Sequence, residues 1–225
     1  MTLPPARRPA AVLFDCDGVL ADSEGLVNRI VAADLTARGW RLSPDQARET
    51  FLGMALPDML PMIEARVGPL PPRWAGELGQ AISGALMEGL DPVPGALAAL
   101  RAVAAAGLPV AVASNSSRIE LRAKLGRLGI AGLFGERVFS FEDVAEPKPA
   151  PDIYLAAAAA CGAAPAACVV VEDSLLGCRA GIAAGCRVLG LTRETDAAVL
   201  AAVGAEPFAR MEDLPRLLGL QEKAA

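Results

Sequence analysis

Residues 11–18 read Ala-Val-Leu-Phe-Asp-Cys-Asp-Gly. Four apolar residues run without a polar break, an acid-x-acid pair follows, and a glycine lets the chain turn. A strand that is apolar at every position is buried on both faces, as in a parallel sheet covered by helices. Similar short runs recur at 109–113, 136–139, 168–171 and 187–191. Between them lie helical patterns with ordinary stop signals. Residues 95–106 run to Gly107, 117–128 to Gly129, and 152–161 to Gly162. Residues 175–184 open after Ser174, a good N-cap, and end at Gly185. Strand alternating with helix predicts an α/β fold, a doubly wound parallel sheet of the Rossmann type.

Residues 22–91 break that rhythm. Leu26, Ile30, Ala33 and Ala37 recur at helical spacing up to Gly39, and further helices are expected near 44–51, 56–67 and 72–88. Leu70-Pro71-Pro72 is a helix break. The segment therefore predicts a small α-helical domain inserted after the first strand. Residues 1–21 and 92–225 form the core and 22–91 the insert. Ala21-Asp22-Ser23 and Asp91-Pro92-Val93-Pro94 serve as linkers.

The chain of 225 residues contains no histidine. That excludes the Ser-His-Asp triad, the Cys-His pair, the HExxH zinc site and any imidazole proton shuttle. Carboxylates are the first place to look, with 26 Asp+Glu against 21 Lys+Arg. The net charge of -5 disfavours a nucleic-acid partner. Five cysteines without a CxxC pair read as thiols of a reducing compartment. No signal-peptide core follows the basic start and no apolar run spans a membrane, so a cytoplasmic protein is expected. Only three lysines occur. Lys124 and Lys223 are expected on the surface, and Lys148 is not.

The first strand delivers Asp15 and Asp17 at its carboxyl end, where open α/β sheets place their sites. The fourth delivers Glu172 and Asp173. Such carboxylates repel one another unless a cation intervenes, and oxygen-only ligands favour Mg²⁺. A lone Asp-x-Asp is ordinarily a turn or cap. The second strand ends in Ser114-Asn115-Ser116-Ser117 before a helix, which suits either an anion or a plain N-cap. Lys148 sits between two prolines in Glu146-Pro147-Lys148-Pro149, a rigidly aimed ammonium or a solvated loop lysine.

In this order and register the motifs resemble those of the haloacid dehalogenase superfamily. The resemblance rests on FDCDGVL, Ser114, Lys148 in KPAPDIY and VVVEDSLLGCRAGIAAG, and it spans almost the whole chain. The helical insert matches members with a small helical cap. FDCDGVLADSEGLVNR and FLGMALPDML are similar to the β-phosphoglucomutase-like, 6-phosphogluconate phosphatase-like subfamily.

The resemblance implies a Mg²⁺-dependent phosphatase working through an aspartyl-phosphate. Asp15 would be nucleophile and Asp17 the general acid/base. Ser114 and Asn115 would bind phosphoryl oxygens, and Lys148 would stabilise the same charge. Asp15, the backbone carbonyl of Asp17, Asp173, and Glu172 directly or through water, would hold the metal. The mutases place a histidine where this chain has Val27 and an arginine where it has Leu56, which argues against that chemistry. A lysine-free insert excludes a Schiff base there. A mutase or phosphotransferase, and a non-catalytic phosphometabolite-binding protein, stay as alternatives.

The insert holds six arginines and ten acids, so it makes no generally cationic lid. A small phosphorylated metabolite, a sugar or sugar-acid phosphate, is the expected substrate. Glu24, Asn28 and Arg29 on the first insert helix and Gly53 in the next loop are the candidate contacts, with a plain solvated role as the alternative for the first three. No nucleic acid or membrane partner is expected, and the protein is expected as a monomer or weak homodimer.

Overall fold

A computed structural model describes residues 8–220. Lys223 and residues 1–7 of the basic start lie outside the described residues. Among those described, six parallel strands form one sheet in the order β3-β2-β1-β4-β5-β6. They are β1 (Ala11–Phe14), β2 (Val110–Ser114), β3 (Val138–Ser140), β4 (Cys168–Glu172), β5 (Arg187–Leu191) and β6 (Glu206–Phe208). The doubly wound sheet is as expected, apart from β6. That strand pairs Pro207 with Gly190 of β5. A three-residue edge strand with a proline carries no run of β-formers, and its missing N–H is tolerated at an edge.

Side chains alternate across the sheet and build two apolar layers. Val12, Phe14, Val112 and Val171 face one side with Leu100 and Leu125. Leu13, Ala111, Ala113 and Val170 face the other with Ile153, Tyr154 and Cys178. The first layer is covered by α5 (Ala96–Ala105), α6 (Arg118–Arg127), the short α7 (Ala131–Phe134) and, near the end of the described chain, Leu214. The second is covered by α8 (Asp152–Ala160), α9 (Leu175–Ala183) and α10 (Ala197–Ala202). Phe14 lies opposite Val112 and Val171 at once. The carboxyl ends of three neighbouring strands therefore finish level and hold their next residues at one rim.

Between β1 and α5 sit α1 (Glu24–Ala37), α2 (Pro44–Phe51), α3 (Leu56–Val67) and α4 (Trp74–Gly89). A capping box between Ser43 and Gln46, with Pro44 in the first turn, starts α2. The helices close on Leu35, Ile63, Trp74, Ile82 and Leu86. Trp74 Nε1 donates to Asp34 Oδ2 at 2.7 Å, which satisfies its one donor. On α1 the buried face is Asn28, Val31, Ala32 and Leu35. The stripe expected through Ala33 and Ala37 is exposed instead, because those alanines are small enough to sit on either side of a helix. The two connections to the sheet run side by side. Asp22 N donates to Asp91 O at 2.9 Å and Val93 N to Leu20 O at 3.0 Å.

Candidate active site

The rim above β1, β2 and β4 gathers the chemistry-bearing side chains. Asp15 follows β1 directly, and its N–H donates to Val171 O at 2.9 Å, so the sheet register sets its position. Its carboxylate accepts from Lys148 Nζ at 2.6 Å. The same ammonium donates to Glu172 Oε1 at 2.6 Å and lies 4.9 Å from the Tyr154 ring centroid. Lys148 is buried. Burial opposes its charge, but the two carboxylates outweigh that and hold its pKa above the ordinary lysine value.

Glu172 is fully buried and accepts five hydrogen bonds. Oε1 takes Lys148 and the Tyr154 hydroxyl at 2.8 Å. Oε2 takes the N–H groups of Asp173 and Ser174 at 3.0 and 3.1 Å, and Ser174 Oγ at 3.1 Å. Gly177 on the first turn of α9 makes room for it, since a Cβ there would lie 1.7 Å from Glu172 Oε1. Ser174 caps α9 by accepting from Gly177 N at 3.0 Å, as expected for that position. A carboxylate so fully engaged is an anchor for Lys148 and the 173–174 turn. Its oxygens also lie among the three carboxylates that could share an ion, so its expected part in a metal site, directly or through water, stays an expectation.

Asp15, Glu172 and Asp173 each bring an oxygen within 4.8 Å of the others. Asp173 Oδ2 is buried with no partner. It lies over Gly18, where a Cβ would come within 1.8 Å of it. Burial raises Asp15 to about 8 despite Lys148, with Glu172 and Asp17 adding to the rise. Burial, then Glu172 and Asp15, push Asp173 up as well. Two converging carboxylates that cannot both ionise comfortably, one of them unpartnered, fit a hard cation with oxygen ligands.

Asp17 faces elsewhere. Lys124 and Ser23 donate to its Oδ1. Ser116 and Ser114 donate to its Oδ2 at 2.6 and 3.2 Å. Burial raises its pKa, but Lys124 and the hydroxyl donors outweigh it and bring it down to about 2. Lys124 also donates to Ser116 Oγ at 2.7 Å and is buried. Its expected surface position is wrong. The missed signal is helical spacing, since Leu121, Lys124 and Leu125 share the buried face of α6. Tyr154, the one tyrosine of the chain, was also not foreseen as part of the site. Nothing in its spacing points to Glu172.

Ser114 is buried at the rim and faces the same cleft. Asn115 is not free to bind phosphate through its side chain. Its Nδ2 donates to Gly53 O at 2.8 Å and Lys148 O at 3.1 Å, and its Oδ1 accepts from Lys148 N at 3.0 Å. It ties the insert to the Lys148 loop. Gly53, at φ +74, approaches Ser174, whose Cβ and Oγ would meet its Cβ at 3.1 Å. Glu24, Asn28 and Gly53 line the cleft. Asn28 Nδ2 donates to Glu24 Oε2 at 2.7 Å. Burial, then Asp17, pushes Glu24 up to about 7. Arg29 does not join them. It is exposed and borders a separate groove beside Trp74, because on α1 it lies next to the buried stripe and not on it.

Residues 9–185 match the family description of the haloacid dehalogenase-like hydrolases. The chain belongs to that family. Proteins similar to it include the 6-phosphogluconate phosphatase of Escherichia coli, 29% identical over 93% of this chain and 95% of that protein. Hexitol phosphatase A of the same organism is 37% identical over 82% of this chain and 83% of that one. Among solved structures, a haloacid dehalogenase family hydrolase from Deinococcus radiodurans with bound phosphate and sodium is 34% identical. It superposes with a TM-score of 0.75 over 96% of this chain and 99% of that one. CbbY from Rhodobacter sphaeroides, in complex with phosphate, is 27% identical, with a TM-score of 0.79 over 94% and 100%. As a member of this family with phosphatase relatives over nearly its full length, the chain is a phosphomonoester hydrolase. Among the described residues, no helix is long and apolar enough to cross a membrane.

Proposed function

We propose that the chain is a Mg²⁺-dependent phosphatase of small phosphorylated sugars or sugar acids, with Asp15 as nucleophile. The observation that carries this reading is the unpartnered Asp173 oxygen beside an Asp15 that Lys148 already aims. Asp15 and Asp173 would hold Mg²⁺, which supplies positive charge against an incoming phosphate dianion. The phosphate found in two similar solved structures supports the same use of the rim here.

The residues divide the reaction as follows. An Asp15 oxygen attacks phosphorus, the ester P–O bond breaks, and an aspartyl-phosphate forms. Lys148 fixes that carboxylate and offsets phosphoryl charge, while Ser114 provides a hydroxyl at the strand end. The leaving alkoxide takes a proton, and a water later loses one to hydrolyse the acyl phosphate. Asp17 stands as an anion in its pair with Lys124, the state that accepts the water's proton. To protonate the leaving group it must part from Lys124 and take up a proton from solvent, which it passes to the alkoxide oxygen and regains from the attacking water. The inserted helices 22–91 act as the cap that keeps water from the rim, with Glu24, Asn28 and Gly53 facing substrate. Five free thiols, four of them buried, suit a cytoplasmic placement.

Phosphate release from p-nitrophenyl phosphate and a panel of sugar phosphates, with and without EDTA, tests the proposal. Turnover is expected with Mg²⁺ and lost on chelation. Turnover indifferent to EDTA would overturn the metal assignment, and activity confined to nucleotides or phosphopeptides the substrate class.

A further inference from the structure

The cleft is a cavity of about 400 Å³ whose lining includes six carboxylates, two lysines and no arginine. Both lysines are committed at the floor, Lys148 to Asp15 and Glu172 and Lys124 to Asp17. The walls are different in kind. Val27, Val31, Leu52, Met59, Leu78 and Ile82 make them largely apolar. The ionisable groups on the walls are all acids: Glu24 on α1, Glu120 on α6 and Glu142, which pairs with Arg118.

The cations of the insert lie away from the cavity. None of its six arginines lines the cavity. Arg38 pairs with Asp34, Arg48 with Glu194, and Arg66 lies over the Trp40 ring. A second anionic group on the leaving alcohol would meet an apolar surface, which cannot solvate it, or a carboxylate, which repels it. An uncharged alcohol meets neither penalty. Its hydroxyls would meet the amide of Gln80, the carbonyl oxygen of Asn28, whose Nδ2 is spent on Glu24, and the carboxyl groups of Glu24 and Glu120.

We infer that this cavity takes phosphomonoesters of uncharged alcohols and turns away those whose leaving group carries a second anion, either a carboxylate or another phosphate. The inference rests on the phosphatase reading and narrows it. It parts the chain from its relative named for 6-phosphogluconate and leaves it beside the one named for hexitols.

Glucitol 6-phosphate and 6-phosphogluconate share six carbons and the phosphate position, and differ in one terminal hydroxymethyl against a carboxylate. Steady-state kinetics of the Mg²⁺-loaded full chain on both, with fructose 1,6-bisphosphate and p-nitrophenyl phosphate alongside, decides the matter. The expected kcat/KM on glucitol 6-phosphate exceeds those on 6-phosphogluconate and the bisphosphate by about tenfold or more, a difference of about 1.4 kcal/mol. In the double variant Glu24→Gln, Glu120→Gln the ratio of the first two is expected to shrink, through a gain on 6-phosphogluconate. Equal or better turnover of 6-phosphogluconate by the unaltered enzyme overturns the inference. A ratio that the double variant leaves unmoved overturns its attribution to the wall acids. Absence of phosphate release from all four esters overturns the phosphatase reading itself, and the inference with it.

Discussion

Lys124 and Lys148 each hold one of the two aspartates of the first motif. Removing either leaves a carboxylate, buried at Asp15 and half-buried at Asp17, without its counter-ion. Lys124→Met is expected to lower stability by about 3 kcal/mol, read as a fall in the denaturant midpoint at unchanged m. A midpoint within error of the parent would mean that Asp17 finds other solvation. Asp15→Asn removes the attacking oxygen but keeps a hydrogen-bonding isostere. Turnover is expected to vanish while circular dichroism stays that of the folded parent, and activity above a trace would exclude Asp15 as nucleophile. For the metal, the readout is thermal. Mg²⁺ is expected to raise the melting temperature of the parent by relieving the Asp15–Asp173 repulsion, and Asp173→Asn is expected to abolish the rise. An equal rise in the variant would move the cation elsewhere.

Glycines decide two of the element contacts. The first turn of α9 passes against Glu172 only because residue 177 has no side chain, and Gly18 likewise yields its space to Asp173. Gly177→Ala should force Glu172 or the helix aside, costing about 1–3 kcal/mol as overpacking does. Activity should fall with it, because Glu172 holds Lys148. Parental melting temperature and turnover in that variant would show that the turn yields freely. At this scale the sequence was readily legible. Apolar runs, capping serines and stop glycines located β1 to β5 and the long helices to within a residue or two. They failed at β6, which is short and interrupted by Pro207, and on α1, where alanines blur which face is buried.

Across the whole molecule, the insert is tied to the sheet layer at separate points. Asn115 holds Gly53 O at 2.8 Å, Arg48 pairs with Glu194, and α4 packs against α6. The packing of α1 over the rim also desolvates the half-buried Glu24 and raises it from an ordinary 4.5 to about 7. A carboxyl group whose folded pKa is raised favours folding while protonated. That contribution is complete below about 4.5 and is lost as pH rises through about 7. Glu24→Gln should therefore stabilise the protein more at pH 8 than at pH 5, by about 2–3 kcal/mol at most. Unfolding curves of the parent and the variant at those pH values check this, and an equal shift at both would place Glu24 in water.

The order of β1 to β5 and of the long helices and the inserted helical segment were legible in the sequence alone, and the motif residues Asp15, Asp17, Ser114, Lys148, Glu172 and Asp173 through their resemblance to the family. Hydrophobic period, caps and breaks are local, and the motif spacings are contained within single loops. Only the tertiary structure decided what those residues do to one another. It committed Glu172 to five donors, gave Asp17 to a lysine 107 residues away, spent Asn115 on a clamp, and left Arg29 outside the cleft. Each of these depends on which side chains converge on the rim from distant segments, and on how many lone pairs and charges are already satisfied when they arrive. No local pattern carries that information.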